Sequence, residues 1–137
     1  MYKIQYHKNL LIWLFAIIAL LIALCSTCKA ETIGEASWYS SASLKKEGSW
    51  KIWKGVMANG EVFDDKKHTC AMWGVPFGDG VRVTNVANGK SVIVTVTDRG
   101  PAKRLVKKGR IIDLSKGAFS KIADLKQGVI EVKIERV

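Results

Sequence analysis

Carboxylates are the residues of this chain best suited to chemistry, and three segments carry them in unusual settings. Asp98 closes the apolar run "VIVTVTD" and is followed at once by Arg99, Gly100 and Pro101. Asp113 interrupts a second apolar run, "RIIDLS". Glu61 and Asp64 lie in "ANGEVFD", behind the sharp turn that Asn59-Gly60 favours. Cleavage of a glycosidic bond needs a carboxylic acid that protonates the leaving oxygen. Such an acid works best where partial burial raises its pKa. Asp98, at the end of a hydrophobic strand and stiffened by Gly100-Pro101, suits that role. Each residue also has a plainer reading. An Asp before Arg-Gly can simply close a turn, and Asp113 before Leu114-Ser115 can hold a loop or cap a helix.

The carboxylates stand out because the chain is basic. It has 22 Lys and Arg against 12 Asp and Glu in 137 residues, a net charge of +10. Its beginning reads as a secretory signal peptide over residues 1–30. "MYKIQYHKN" is a basic leader, Leu10–Leu24 is an uninterrupted apolar run, and "CSTCKA" ends with Cys28 and Ala30 before Glu31. The run is short for a membrane span of about 20 residues. Cys25, directly after it, occupies the place of a bacterial lipoprotein cysteine, although Leu24 stands where a small residue is usual. By either route the chain is exported. Without Lys3, Lys8 and Lys29 the remainder, 31–137, keeps 19 basic and 12 acidic residues, a net charge of +7. A basic exported domain suits an anionic wall polymer or a membrane surface, and export removes nucleic acid from the expected partners. Only Cys70 survives cleavage before Glu31, so no internal disulfide framework forms. Cys70 reads as a small buried apolar residue.

The elements that must hold these residues are short strands. "GEASWYS" reads as a first strand with Trp38 and Tyr39 near its end. "SASLKKEGSWKIWKG" is a Lys-rich polar loop in which Trp50 and Trp53 either stack on sugar or cap the core. Val81 and Val83, then Val92, Val94 and Val96, alternate with polar residues or Ile93 around Asn88-Gly89, the favoured dipeptide of a type I′ hairpin. Apolar residues on both faces of the second of these strands place it inside a closed or covered sheet. "RIIDLS" is a further strand. Ser115 can cap a helix whose inward stripe is Ala118, Phe119, Ile122 and Leu125 and which Gly128 can end. "VIEVKIERV" is a last strand with Val132 and Ile134 inward. Many short strands and one short helix in about 107 residues suggest one mainly β domain, a small barrel.

Taken together, "GEASWYS", "ANGEVFD", "VPFGDGVRVTNVANGKSVIVTVTDRGP" and "RIIDLSKGAFSKI" resemble the rare lipoprotein A family, in order and over nearly all of 34–137. The resemblance implies a six-stranded double-psi β-barrel, a fold shared with expansins and one group of lytic transglycosylases. It implies location in the cell envelope, periplasm or wall, and action on peptidoglycan glycan strands as a monomer, with no cofactor and no metal. The implied reaction is non-hydrolytic. An acid protonates the bond between N-acetylmuramic acid and N-acetylglucosamine, and the muramic 6-hydroxyl attacks its own anomeric carbon to leave a 1,6-anhydro end. Carried over by position, Asp98 matches the acid, and Glu61 and Asp64 match neighbouring functional acids. Asp113 resembles the cleft aspartate of expansins and is the second choice for the acid. Tyr39, Trp50, Trp53, Arg99 and Asp113 are the expected substrate-binding residues. Two departures bear on catalysis. Met72 in "TCAMWGVPFG" stands where the family has a His, and Met57 replaces the Thr of its "TANGE". Those departures keep a second reading open, an expansin-like protein that grips glycan without cutting it. The basic loop "AKRLVKKGR" would draw an anionic polymer toward the acids, or is simply a solvated loop.

Overall fold

The computed structural model describes residues 10–20 and 31–137. Residues 10–20 are helical, within the apolar run. Among the described residues no helix is long and apolar enough to cross a membrane. Lys3, Cys25, Cys28 and Ala30, on which the export reading leans, lie outside them.

From Glu31 onward the chain is a closed six-stranded barrel. The strands are β1 (Glu31–Tyr39), β2 (Thr69–Met72), β3 (Gly80–Asn85), β4 (Ser91–Asp98), β5 (Arg110–Ser115) and β6 (Val129–Arg136). Around the barrel they run β1-β5-β2-β4-β3-β6. The β1–β5 and β2–β4 pairs are parallel and the other four antiparallel. Parallel neighbours cannot be joined by a hairpin, so each parallel pair brings together residues far apart in the chain. The mainly β, six-stranded architecture expected from the sequence is the one observed.

The interior follows the alternation. Val81 and Val83, Val92, Val94 and Val96, and Ile130, Val132 and Ile134 point into the core with Ala36, Cys70, Ile112 and Leu114. Ile93 does not join them. It is 51% exposed and pairs with Arg82 on the outer surface. β4 is therefore an ordinary in-and-out strand, and it lacks a free edge because the barrel closes on both its sides. Burying each Val, Leu or Ile contributes about 1.5–3 kcal/mol.

Helical segments are more numerous than the single helix expected. They are α1 (Ser41–Lys46), α2 (Ser49–Trp53), α3 (Lys103–Val106) and α4 (Lys116–Ile122). α1, α2 and α3 have 6, 5 and 4 residues, too short for periodicity to reveal. Ser40 and Ser43 cap α1 reciprocally, and the Asp65 carboxylate accepts from the Ser41 N–H and hydroxyl. α4 starts where Ser115 accepts from the Ala118 N–H and packs across β1, β4 and β5, burying Ala118, Phe119 and Ile122. It ends at Ile122, so Leu125 belongs to a separate 3-10 turn capped by Asp124. Asn85 and Asn88 each donate at 2.9 Å to the Ile122 carbonyl, filling the acceptor left open at the end of α4. The β3–β4 connection differs from a type I′ turn. Gly89 has φ 72° while Asn88 keeps a negative φ, and the loop is widened so that the Asn85 N–H reaches the Lys90 carbonyl at 2.8 Å.

Candidate functional site

Strand register, rather than proximity in sequence, assembles the acids. Ala71 in β2 pairs with Asp98 of β4 on one side and with Asp113 of β5 on the other. Asp113 pairs in turn with Ser37 of β1. The row Ser37–Asp113–Ala71–Asp98 thus crosses four neighbouring strands at one level. Neighbouring strands lie about 4.8 Å apart, which puts the two Asp backbones about 10 Å from each other with only the alanine methyl between. Gly100 completes the close packing, because a methyl at that position would stand 3.1 Å from the Ala71 side chain and 3.6 Å from Asp113 Oδ2.

The two carboxylates differ in setting. Asp98 lines an open cleft of about 560 Å³. Its Oδ1 accepts from the N–H groups of Ala58, at 3.0 Å, and Arg99, at 2.8 Å, which leaves Oδ2 as the oxygen available to a bound molecule. Asp113 does not line that cleft. It lies behind, accepting from the Ser37 hydroxyl. Burial pushes its carboxyl above the usual range, and the nearby Glu47 charge adds to the shift while Ser37 and the Arg110 charge act against it. Tyr39 links the two. Burial first, then the charges of Asp98, Cys70 and Asp113, hold its phenol far above its ordinary value, the Thr69 hydroxyl opposing. Neither the Tyr39 nor the Thr69 hydroxyl has a partner within hydrogen-bond geometry. Tyr39 stacks on Phe63 at 4.6 Å and offers the cleft its ring. Cys70 lies fully buried beneath, its thiol pushed up to about 12 by burial and the Asp113 charge.

The segment 57–61 is tied to the strand that bears Asp98. Asn59 donates its N–H to the Thr97 carbonyl at 3.1 Å, and the Thr97 hydroxyl donates to Met57 Sδ at 3.1 Å. Met57 is buried, so in this chain the thioether anchors the turn from below. Met57, Ala58, Gly60 and Phe63 line the cleft. Glu61 and Asp64 do not. Both are exposed. Glu61 sits next to Gly60 at the rim, its N–H donating to Asn59 Oδ1. Asp64 closes a turn by accepting from the Lys66 N–H at 2.9 Å. The neighbouring Asp65, which the sequence reading passed over, is the acid that carries structure here.

Trp50 and Trp53 line the cleft with Asp98. Trp53 is 66% exposed. Trp50 is held between the Lys45 ammonium, 4.8 Å from its ring, and Gly55, where a methyl would fall 2.4 Å from the indole. Arg99 also lines the cleft, but its Nη1 donates at 2.9 Å to the carbonyls of both Met72 and Val75. Its guanidinium lies 3.8 Å over the Phe77 ring. Arg99 therefore braces the segment after β2. The Met72 side chain packs against the core, and His68 is exposed and absent from the cleft lining. The surroundings of Asp98 are thus main-chain N–H groups and aromatic rings. Phe63 and Met57 were legible only as neighbours of the "ANGE" turn.

Residues 31–134 match the family described as lytic transglycolase. A protein named "Endolytic peptidoglycan transglycosylase RlpA" from Neisseria meningitidis serogroup A is 41% identical over 104 residues, 76% of this chain and 38% of that protein. "Probable endolytic peptidoglycan transglycosylase RlpA" of Nostoc sp. is 47% identical over 78 residues, 57% of this chain and 20% of that one. The chain therefore spans well under half the length of these relatives. Among solved structures, the Streptomyces papain inhibitor superposes with a TM-score of 0.57 at 26% identity, covering 79% of this chain and 94% of that one.

Proposed function

The chain belongs to the lytic transglycolase family, and on that premise we propose that it cleaves peptidoglycan glycan strands as an endolytic transglycosylase. The observation that carries the proposal is Asp98 Oδ2, left free at the edge of an aromatic-walled cleft while Oδ1 is held by two main-chain N–H groups. A sugar chain laid along the cleft rests on Trp50 and Trp53 and passes the acid. Asp98 gives its proton to the glycosidic oxygen as the bond to the muramic anomeric carbon breaks. The muramic 6-hydroxyl bonds to that carbon and its proton passes to the Asp98 carboxylate. One carboxyl group serves as acid and then base, no water is consumed, and the product carries a 1,6-anhydro end. Glu61, at the rim, and Asp64, one turn further, add negative potential along the approach, and Tyr39 shapes the floor between Asp98 and Asp113. The test is digestion of purified glycan strands followed by mass spectrometry. Anhydro-muramic ends support the reading. Tight binding with no such ends transfers the protein to the second reading, a wall-binding module, which Met72 in place of an imidazole favours.

The same proposal sets the protein in the cell envelope. Residues 1–30 act as a signal peptide and 31–137 as the working domain. N-terminal sequencing of the envelope fraction should begin at Glu31, whereas a chain beginning at a palmitate-labelled Cys25 would assign the lipid-anchored route.

A further inference from the structure

We infer that Trp73, with Lys103 beside it, forms a further saccharide subsite that takes an acidic sugar, its ring against the indole and its carboxylate at the ammonium. The inference rests on the reading of the protein as one that acts on peptidoglycan glycan.

Trp73 directly follows β2 and is 42% exposed, yet it is not loose. Its Nε1 donates to the Pro101 carbonyl at 2.8 Å, and Pro101 is fully buried. The Asp98–Arg99–Gly100–Pro101 turn thus carries the acid at one end and holds the indole at the other. Three residues span at most about 11 Å, so the indole is anchored within reach of a short stretch of glycan that passes Asp98. Arg99 secures the same segment from the other side, since its two bonds to the Met72 and Val75 carbonyls bracket Trp73. Arg99 itself lines the cleft, and through these two bonds the segment that bears Trp73 is tied to the cleft lining. A large ring already held in place loses little freedom when a ligand stacks on it.

The charge argues for an acidic ligand. Lys103 Nζ stands 5.4 Å from the Trp73 ring centroid, at the start of α3 and next to Arg104. The ion pairs among the described residues involve Lys133 and Arg136, on β6, and none involves Lys103 or Arg104. An exposed indole beside an unneutralised ammonium matches a pyranose that bears a carboxylate, such as the lactyl group of the muramic residue.

Calorimetric titration of the purified protein tests this with two probes, peptide-free glycan strands and a neutral N-acetylglucosamine oligomer of similar length. Trp73→Ala should weaken strand binding about tenfold, the loss typical of an anchoring Trp. Trp73→Phe, which keeps a ring but loses the bond to Pro101, should fall between. Lys103→Ala should weaken the strands and leave the neutral oligomer unchanged. Strand affinity at the wild-type level in Trp73→Ala protein with an unchanged melting temperature overturns the subsite, while anhydro ends made by the wild type keep the functional reading intact. Equal losses for both probes in Lys103→Ala overturn the acidic-sugar assignment. If Trp73→Ala does not fold, wild-type affinity in both Trp73→Phe and Lys103→Ala overturns the subsite. A wild type that neither binds nor cuts the strands overturns the functional reading and the subsite with it.

Discussion

Replacing Asp98 by Asn removes a titratable proton and almost nothing else. The amide oxygen can still accept from the Ala58 and Arg99 N–H groups, now at 3.0 and 2.8 Å from Oδ1, so the tie between the acid-bearing strand and the 57–61 turn survives. Each of these bonds changes from charge-assisted to neutral and loses roughly half its strength. A neutral bond contributes about 1 kcal/mol net, so the fold should lose less than about 2 kcal/mol. Catalysis should respond on another scale. General acid catalysis supplies about 10²- to 10⁴-fold, equivalent to about 2.7–5.5 kcal/mol of barrier. The assay follows anhydro-muramic ends by mass spectrometry over time, with a thermal melt and a glycan pull-down on the same preparation. Product formation should fall by at least about a hundredfold while binding and melting stay close to wild type. Asp113→Asn and Glu61→Gln belong in the same series. An active Asp98→Asn beside an inactive Asp113→Asn would show that the buried carboxylate is the acid. A loss of product that merely follows a loss of folded protein would refute the reasoning from geometry.

Asp113→Asn should also raise the melting temperature at neutral pH. Burial holds the folded-state pKa of Asp113 above its unfolded value, so its favourable contribution is present in acid and is lost as pH rises through the raised value. The gain of the variant should therefore shrink as pH falls from the raised value toward the unfolded value of about 4 and be absent below it, where both states are protonated, and a gain independent of pH would contradict the assignment. Cys70, with its thiol pushed up to about 12 and no exposed surface, should resist thiol reagents in the native protein and react at once in denaturant; rapid labelling of the native state would show the core to be open. Replacing Trp50 and Trp53 together by Ala should weaken glycan pull-down and shift the melting temperature by only a few degrees, because neither ring belongs to the buried core; a large stability loss with binding retained by the folded fraction would make them structural.

Local pattern carried much of the fold. The alternation of Val81 with Val83, of Val92 with Val94 and Val96, and of Ile130 with Val132 and Ile134 determined which face of each strand is buried, because side chains in a strand alternate whatever the strand pairs with. Ser115, Ala118, Phe119 and Ile122 likewise announced α4, whose cap and inward stripe lie within eight residues of one another. The motifs also marked Asp98 and Asp113 as unusual. What no local pattern contains is register. That Ala71 lies between Asp98 and Asp113 depends on which residues of β2, β4 and β5 face each other, and closure of the whole barrel decides that. Closure also separated similar residues into different roles. It left Asp98 at the cleft and Asp113 behind it, and it gave Asp65 to the start of α1 while Asp64 closes an exposed turn. It committed the guanidinium of Arg99, at the cleft, to bracing the segment after β2, and it set Trp73 against Pro101, 28 residues away in the chain. A sequence prescribes what each side chain can do; the pairing of distant strands in a closed barrel decides which neighbours it has to do it with.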